Sequence, residues 1–188
     1  SKADSANGLY KRVIGDGHKV DILINNAGFA TAGSFATTSL DDEAAEMTLN
    51  MVTLTLLTKL FLNDMLQRKH GKILNVASLA ATAAGPYMAV YYASKSYVLR
   101  FSQALHYELK DTNVTVSVFC PGPIATNFAK RAHLSQSRLF SGKLMSAEDA
   151  VAIATSNLEK RKMIIFDSPK GIVAMSVLRF LPIKTQLR

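Results

Sequence analysis

The chain contains a single cysteine, Cys120, among its 188 residues, so no intrachain disulfide can form. That usage agrees with a reducing compartment, and a cytoplasmic setting is expected. No uninterrupted apolar run reaches the ~18 residues of a membrane-spanning helix, and the opening residues lack a signal-peptide pattern. His18, His70, His106 and His133 are scattered without metal-ligand spacing, so no metal site is expected. Gly-x-Ser-x-Gly is missing and no histidine is placed to complete a triad, which argues against a serine hydrolase. Internal repeats and low-complexity segments are also absent. The net charge of +8 does not imply nucleic-acid binding, because the basic residues are dispersed. Only Arg68-Lys69-His70 and Lys160-Arg161-Lys162 form short clusters, and no zinc-finger or basic-aromatic motif accompanies them.

What remains is a globular chain: 48% apolar, 19% charged and long enough for one domain with a sizeable core. Its pattern alternates helix and strand. Helices are predicted over about Ala3–Ile14, Asp42–Arg68 and Val90–Lys110, and another after a capping-box-like Ser146 and Asp149. Short apolar runs predict strands at Val20–Gly28, Gly71–Ser78, from Val114 into "PGP", and Met163–Phe166. Such an order predicts an α/β fold, a Rossmann-like doubly wound parallel sheet with helices on both faces, as a single domain over residues 1–188. In these sheets ligands sit beyond the carboxyl ends of the strands, which is where "NNAG", Ser78 and "PGP" fall. The tail "GIVAMSVLRFLPIKTQLR" is apolar and basic, and is expected to dock on its own domain rather than on a membrane.

Of six tyrosines only Tyr91 has a lysine four residues on, Lys95. On a helix that offset stacks the two on one face, and a cation beside a phenol favours the phenolate. The pair is therefore a candidate acid/base device. One such spacing alone could arise by accident. Four further features stand in register with it: "NNAG" at Asn25–Gly28, Asn50 inside the long helix, Ser78 thirteen residues before Tyr91, and "PGPIAT" at Pro121–Thr126. Together they resemble the short-chain dehydrogenase/reductase family over nearly the whole chain, in its order and spacing.

That resemblance implies an oxidoreductase moving hydride between NAD or NADP and a carbonyl or secondary alcohol. Tyr91 would transfer the proton. Lys95 would lower the Tyr91 pKa and hold the nicotinamide ribose, and Ser78 would stabilise charge on the substrate oxygen. Asn50 would anchor a water linking Lys95 to solvent. Asn26, Ala27 and Gly28 would lie against the cofactor, with Pro121, Gly122 and Ile124 framing the nicotinamide and Thr126 near its carboxamide. Asn25 would tie neighbouring strands together, and Cys120 reads as strand-end packing. Each of these residues also has an ordinary structural reading, such as a half-buried tyrosine, a surface lysine or a serine cap. The alternative function is accordingly a catalytically silent binding or regulatory protein on the same fold.

The family opens with a strand and a glycine-rich turn that cradles the cofactor pyrophosphate. None of the ten glycines here forms Gly-x-x-x-Gly-x-Gly after a strand, so roughly sixty family residues are missing upstream. The expectation is an incomplete sequence, the alternative a protein that retains only the catalytic half. The residues that choose between NAD and NADP would lie in that segment. Leu79, Ala80, Ala81, Met88, Phe128 and Leu134 predict a largely apolar small-molecule substrate, with a lid between Ala125 and Leu144 and few charges beyond Lys130-Arg131. The 42–68 helix is apolar nearly all round, and with the 90–110 helix it predicts a homodimer or homotetramer.

Overall fold

The apolar runs that read as strands lie side by side in chain order. In the computed structural model, which describes residues 4–132, 134, 142 and 144–178, β1 (Ile22–Asn25), β2 (Gly71–Val76), β3 (Val114–Cys120) and β4 (Ile164–Phe166) form one parallel sheet ordered β1-β2-β3-β4. Alternation along each strand divides the side chains between two faces. Ile73, Val114, Val116, Val118 and Cys120 face a layer made of α3 (Leu54–Arg68) and α4 (Ala89–Glu108). Leu74, Phe119 and Ile165 face α6 (Ala147–Glu159) through Ala150, Ala154 and Leu158. β3 is buried along its whole length, as a central parallel strand must be. At the other extreme β1 forms an edge of the sheet, with Ile22 and Ile24 about half exposed.

Capping matches the sequence. The Ser39 hydroxyl accepts the Asp42 amide at the start of α2 (Leu40–Met47), which carries Asp41, Asp42 and Glu43 in its first turn. Ser146 accepts the Asp149 amide at the start of α6. The first helix, α1 (Asp4–Gly15), lies on α3, where Tyr10 packs edge-on against Phe61 and donates to the Asp64 carboxylate. α1 thus covers part of the outer apolar face of α3. A one-turn α5 (Phe128–Arg131) follows β3, and α7 (Pro169–Leu178) closes the described chain.

Two expectations shift. The "NNAG" strand ends at Asn25 instead of Gly28, because residues 26–28 leave the ladder and turn toward the cavity described below. The long helix is continuous from Leu40 to Arg68 but does not keep one winding. Between α2 and α3, Thr48–Thr53 is π-helical, and the extra residue per turn rotates the faces on either side. By length and composition this helix could cross a membrane, yet Leu54, Phe61, Leu62 and Met65 bury it against its own domain.

A polar seam crosses the core between β1, β2, α3 and α4. The Asn25 amide donates to Asn75 Oδ1 (2.8 Å) and Thr58 Oγ1 (3.0 Å); the Asn75 amide donates to Ser102 Oγ (2.9 Å). Ser102 passes its proton on to the Val98 carbonyl. Asn25 is thus a strand-to-strand tie, and its bonds fix the point at which the chain leaves β1.

Candidate active site

Periodicity of α4 brings the tyrosine and lysine inward. Its buried residues Tyr91, Ser94, Lys95, Val98, Leu99 and Ser102 recur at helical spacing and make one stripe. At the carboxyl end of β2 the chain stays extended through Ser78, whose hydroxyl accepts the Ala80 amide at 3.1 Å and lies near enough to Tyr91 to favour its phenolate. Lys95 Nζ lies 5.8 Å from the centre of the Tyr91 ring and donates to the Val76 carbonyl at 2.9 Å. Ser78, Tyr91 and Lys95 therefore come from two elements and meet at one place.

Burial dominates the electrostatics there. Tyr91 is 8% and Lys95 6% exposed. Burial pushes the Tyr91 phenol up to about 12, opposed by the Ser78 hydroxyl and reinforced by the Glu46 carboxylate and Tyr92. It also pulls the Lys95 ammonium down to about 8, against the upward influence of Cys120 and Glu46. The net shift of Tyr91 is upward, set first by dehydration of the phenolate. Cys120 lies fully buried in the core, its thiol pushed up to about 12 by the same burial, so it is packing and not a nucleophile.

Asn50 sits in the π-helical turn, 1% exposed and held by three contacts. Its amide nitrogen donates to the Phe29 carbonyl (3.0 Å) and Ser94 Oγ (3.1 Å), and its oxygen accepts the Phe29 amide (3.3 Å). Gly28 passes directly over it. A Cβ there would lie 2.9 Å from Asn50 Oδ1 and 3.4 Å from Lys95 Nζ, so the close approach requires glycine. One turn earlier, Glu46 is completely buried. Its Oε2 accepts the Thr31 amide at 2.6 Å, and its Oε1 has no hydrogen-bond partner. Burial raises its pKa, the Thr31 bond opposes this, Glu43 adds to it and Lys95 counters it.

The Pro121–Thr126 segment closes the other side. The Leu79 amide donates to the Pro121 carbonyl (2.8 Å), and the Gly122 amide to Asp167 Oδ2 (2.7 Å), binding the turn to β2 and to the end of β4. Ile124 pairs with Met145, and Thr126 Oγ1 accepts the Phe128 amide. Between these walls is a cavity of about 600 Å³. Asn26, Gly28, Ser78, Tyr91, Lys95, Pro121, Gly122, Ile124 and Thr126 all line it. Ala27 and Asn50 do not: Ala27 faces outward and Asn50 lies behind Gly28. Of the expected substrate wall, Leu79, Ala80, Met88, Phe128 and Leu134 line the cavity, while Ala81 is buried and its carbonyl accepts the Ser96 hydroxyl. The expected lid extends over residues 133, 135–141 and 143, which lie outside the described residues.

Sequence reasoning passed over Glu46, Asp167 and Phe29, while Arg131, noted there as one of few charges near the substrate wall, does line the cavity. Glu46 stands four residues before Asn50 and shares that face of the helix, which was its one signal; Asp41, Asp42 and Glu43 just before it made it look like part of an acidic first turn. Asp167 directly follows the last strand, the position where this fold places its ligands.

This geometry has known counterparts. The sequence model of the family described as short chain dehydrogenase matches residues 1–137. The chain is 39% identical over 106 residues to the ketoacyl reductase HetN of Nostoc sp., a match covering 56% of this chain and 37% of that protein. It therefore spans well under two thirds of that relative. Among solved structures, a short chain dehydrogenase/reductase from Burkholderia phymatum in complex with NAD superposes with a TM-score of 0.83 at 25% identity, covering 100% of this chain and 74% of that one. A short-chain dehydrogenase from Sphingobium yanoikuyae in complex with NADPH gives 0.81 at 26% identity, with 93% and 67% covered. With more than half its length matched by the family's own pattern, and strands in the family's parallel order, the chain belongs to the short-chain dehydrogenase/reductase family.

Proposed function

We propose that the chain is the catalytic part of an NAD- or NADP-dependent oxidoreductase acting on a carbonyl or secondary alcohol. The observation that carries this reading is that Ser78, Tyr91 and Lys95 line one cavity together, with Ser78 near enough to Tyr91 to favour its phenolate. A phenol held up to about 12 is fully protonated at neutral pH, the state needed by a group that donates a proton to a nascent alkoxide. Ser78 would hold the substrate oxygen beside it, and Tyr91 and Lys95 are excluded from bulk water by their burial.

The residues fit a nicotinamide nucleoside. Lys95 has three N–H donors, and a single hydrogen bond, to the Val76 carbonyl, is described for it, which leaves donors for ribose hydroxyls. Asn26, Gly28, Pro121, Gly122, Ile124 and Thr126 offer a narrow wall of small side chains and backbone on the same cavity. When bound, the nicotinamide supplies or accepts the hydride. Two solved relatives carry NAD and NADPH respectively, and both cofactors are compatible with this half of the site. Asn50, fixed by Phe29 and Ser94, would steady the Gly28 backbone and the approach to Lys95.

The test is Tyr91→Phe in the protein carrying this chain, assayed by nicotinamide absorbance against a panel of apolar ketones. Turnover should fall at least ~100-fold with the fold unchanged. Full activity in the phenylalanine variant would sink the mechanism. The same protein is proposed to self-associate through the outer faces of the Leu40–Arg68 helix and α4, where Met47, Val52 and Tyr97 remain more than a third exposed and Thr55 bonds Tyr97.

A further inference from the structure

The cavity wall is largely apolar, with uncharged polar groups such as Asn26, Ser78 and Asn127. Tyr91, Met88, Phe128, Leu134 and Ala30 belong to one hydrophobic cluster, and among the described residues no aspartate or glutamate lines the cavity. Among those residues its lysine and arginine side chains are Lys95, at the reacting end, and Arg131. Arg131 occupies the last position of α5 and Phe128 the first, a spacing that puts them on the same side of one turn. The Phe128 ring is 5.5 Å from the Tyr91 ring, and Arg131 follows Phe128 by three residues on the same short helix.

Among the described residues no carboxylate forms an ion pair with Arg131. The sequence contains no Asp or Glu from Thr112 to Ala147, yet it holds Lys130, Arg131, Arg138 and Lys143 there. Asp167 and Glu46 each spend one oxygen on the backbone, at the Gly122 and Thr31 amides, and their other oxygens are buried. A neutral hydrophobic substrate would give a cation at the rim of an apolar cavity nothing to pair with.

We infer that the substrate is an amphiphilic anion: a carbonyl or secondary alcohol at the Ser78–Tyr91 end, an apolar body along Met88, Phe128 and Leu134, and a carboxylate or phosphate ester paired with Arg131. This rests on the functional reading above, which fixes the reacting end. The ring-to-ring distance and one helical turn, taken end to end, limit the separation of the anionic group from the reacting carbon to on the order of 10 Å, the reach of a medium-length chain. Arginine's planar fork suits either oxyanion, and a shallow rim position leaves room for a group larger than the cavity.

Binding and turnover separate the two readings. Calorimetric titration of the protein carrying this chain would compare decanoate, decyl phosphate and decanol, with wild type, Arg131→Ala, Arg131→Lys and Arg131→Glu. Wild type should bind at least one anion about tenfold more tightly than the alcohol. Arg131→Ala should abolish that preference, Arg131→Lys keep part of it, and Arg131→Glu invert it. The stronger of decanoate and decyl phosphate identifies the head group. Equal binding of all three ligands, binding of none, or a preference untouched in Arg131→Ala would overturn the inference. Steady-state turnover of 9-oxodecanoate and its methyl ester provides the second arm. Reduction of both at equal kcat/KM would leave the oxidoreductase reading standing and remove the anionic preference. Reduction of neither, with the calorimetric preference intact, would do the reverse.

Discussion

Replacing Lys95 by methionine should make the folded protein more stable near neutral pH while destroying its proposed activity. Lys95 is 6% exposed, and burial lowers its pKa from 10.5 to about 8. At pH 7 the side chain is charged in both folded and unfolded states, so folding carries the full penalty of dehydrating an ammonium. The separation of the two pKa values corresponds to a penalty on the order of 3 kcal/mol. Between pH 8 and 10.5 the unfolded chain binds more protons at this group than the folded one, so wild-type stability rises with pH across that window. Above it both states are neutral and the penalty is gone. Methionine has similar length and no charge, and forfeits only the bond to the Val76 carbonyl, about 1 kcal/mol and independent of pH while the lysine stays protonated. Tyr91 and Cys120, both pushed up to about 12, lose stability with rising pH in wild type and variant alike and drop out of the difference. Urea denaturation of both proteins at intervals from pH 7 to 11, in reductant, measures it. The stability advantage of Lys95→Met should shrink by roughly 3 kcal/mol between pH 8 and 10.5. A difference that stays flat over that range would refute the reasoning, whatever its sign at pH 7.

Three other perturbations follow from the same geometry. Gly28→Ala drives a Cβ to 2.9 Å from an Asn50 oxygen that three hydrogen bonds hold in place, and should cost about 1–3 kcal/mol with a clear loss of turnover; wild-type stability in denaturant titrations would show that Asn50 yields. Glu46→Gln keeps an acceptor for the Thr31 amide and removes a buried charge. Because the folded pKa of Glu46 is raised above 4.5, its ionisation weakens the fold as pH climbs past that value, so the variant should gain on the order of 1 kcal/mol at pH 7 and nothing below pH 4.5. Thermal melts at both pH values decide it, an equal gain at both being the contrary result. Val52→Glu charges a half-exposed position on the outer helix face and should convert the proposed oligomer to monomer in sedimentation at micromolar concentration, whereas a monomeric wild type would end that proposal.

The strands and the Tyr91–Lys95 stripe were legible in the sequence because each depends on a short-range period. A run such as "ILNV" needs only its neighbours to form a buried strand, and an offset of four on a helix translates directly into a shared face. Ser78 and Asn25 were legible for a related reason: both stand at the carboxyl ends of parallel strands, where a fold-level rule puts the chemistry. Glu46 escaped because its burial is made by a different segment. Residues 29–31 fold over it through the Thr31 amide, and the π-helical turn that follows shifts the helix phase, so no heptad or 3.6-residue count assigns Glu46 to the interior. Ala27 is exposed and does not line the cavity: small size permits close approach, but after Asn25 the alternation along the strand no longer sets the direction of its side chain.

The raised pKa of Tyr91 follows the same division between sequence-local and assembled properties. Sequence shows that a cation stands one helical turn from the phenol. It does not show that Met88, Phe128 and Ala132 pack into one cluster with Tyr91, or that the Lys95 ammonium is itself dehydrated and engaged with Val76. Removing water raises the energy of a phenolate and of an ammonium together, so it moves their pKa values toward about 12 and about 8, away from an ion pair. The favoured resting state is therefore a neutral phenol beside a lysine close to its own titration point. Such a pair donates a proton from tyrosine only when a stronger base, such as a nascent alkoxide, is placed against it. On this reading the proton stays on Tyr91 until substrate is in position, which is a more selective arrangement than a phenol already poised near neutrality.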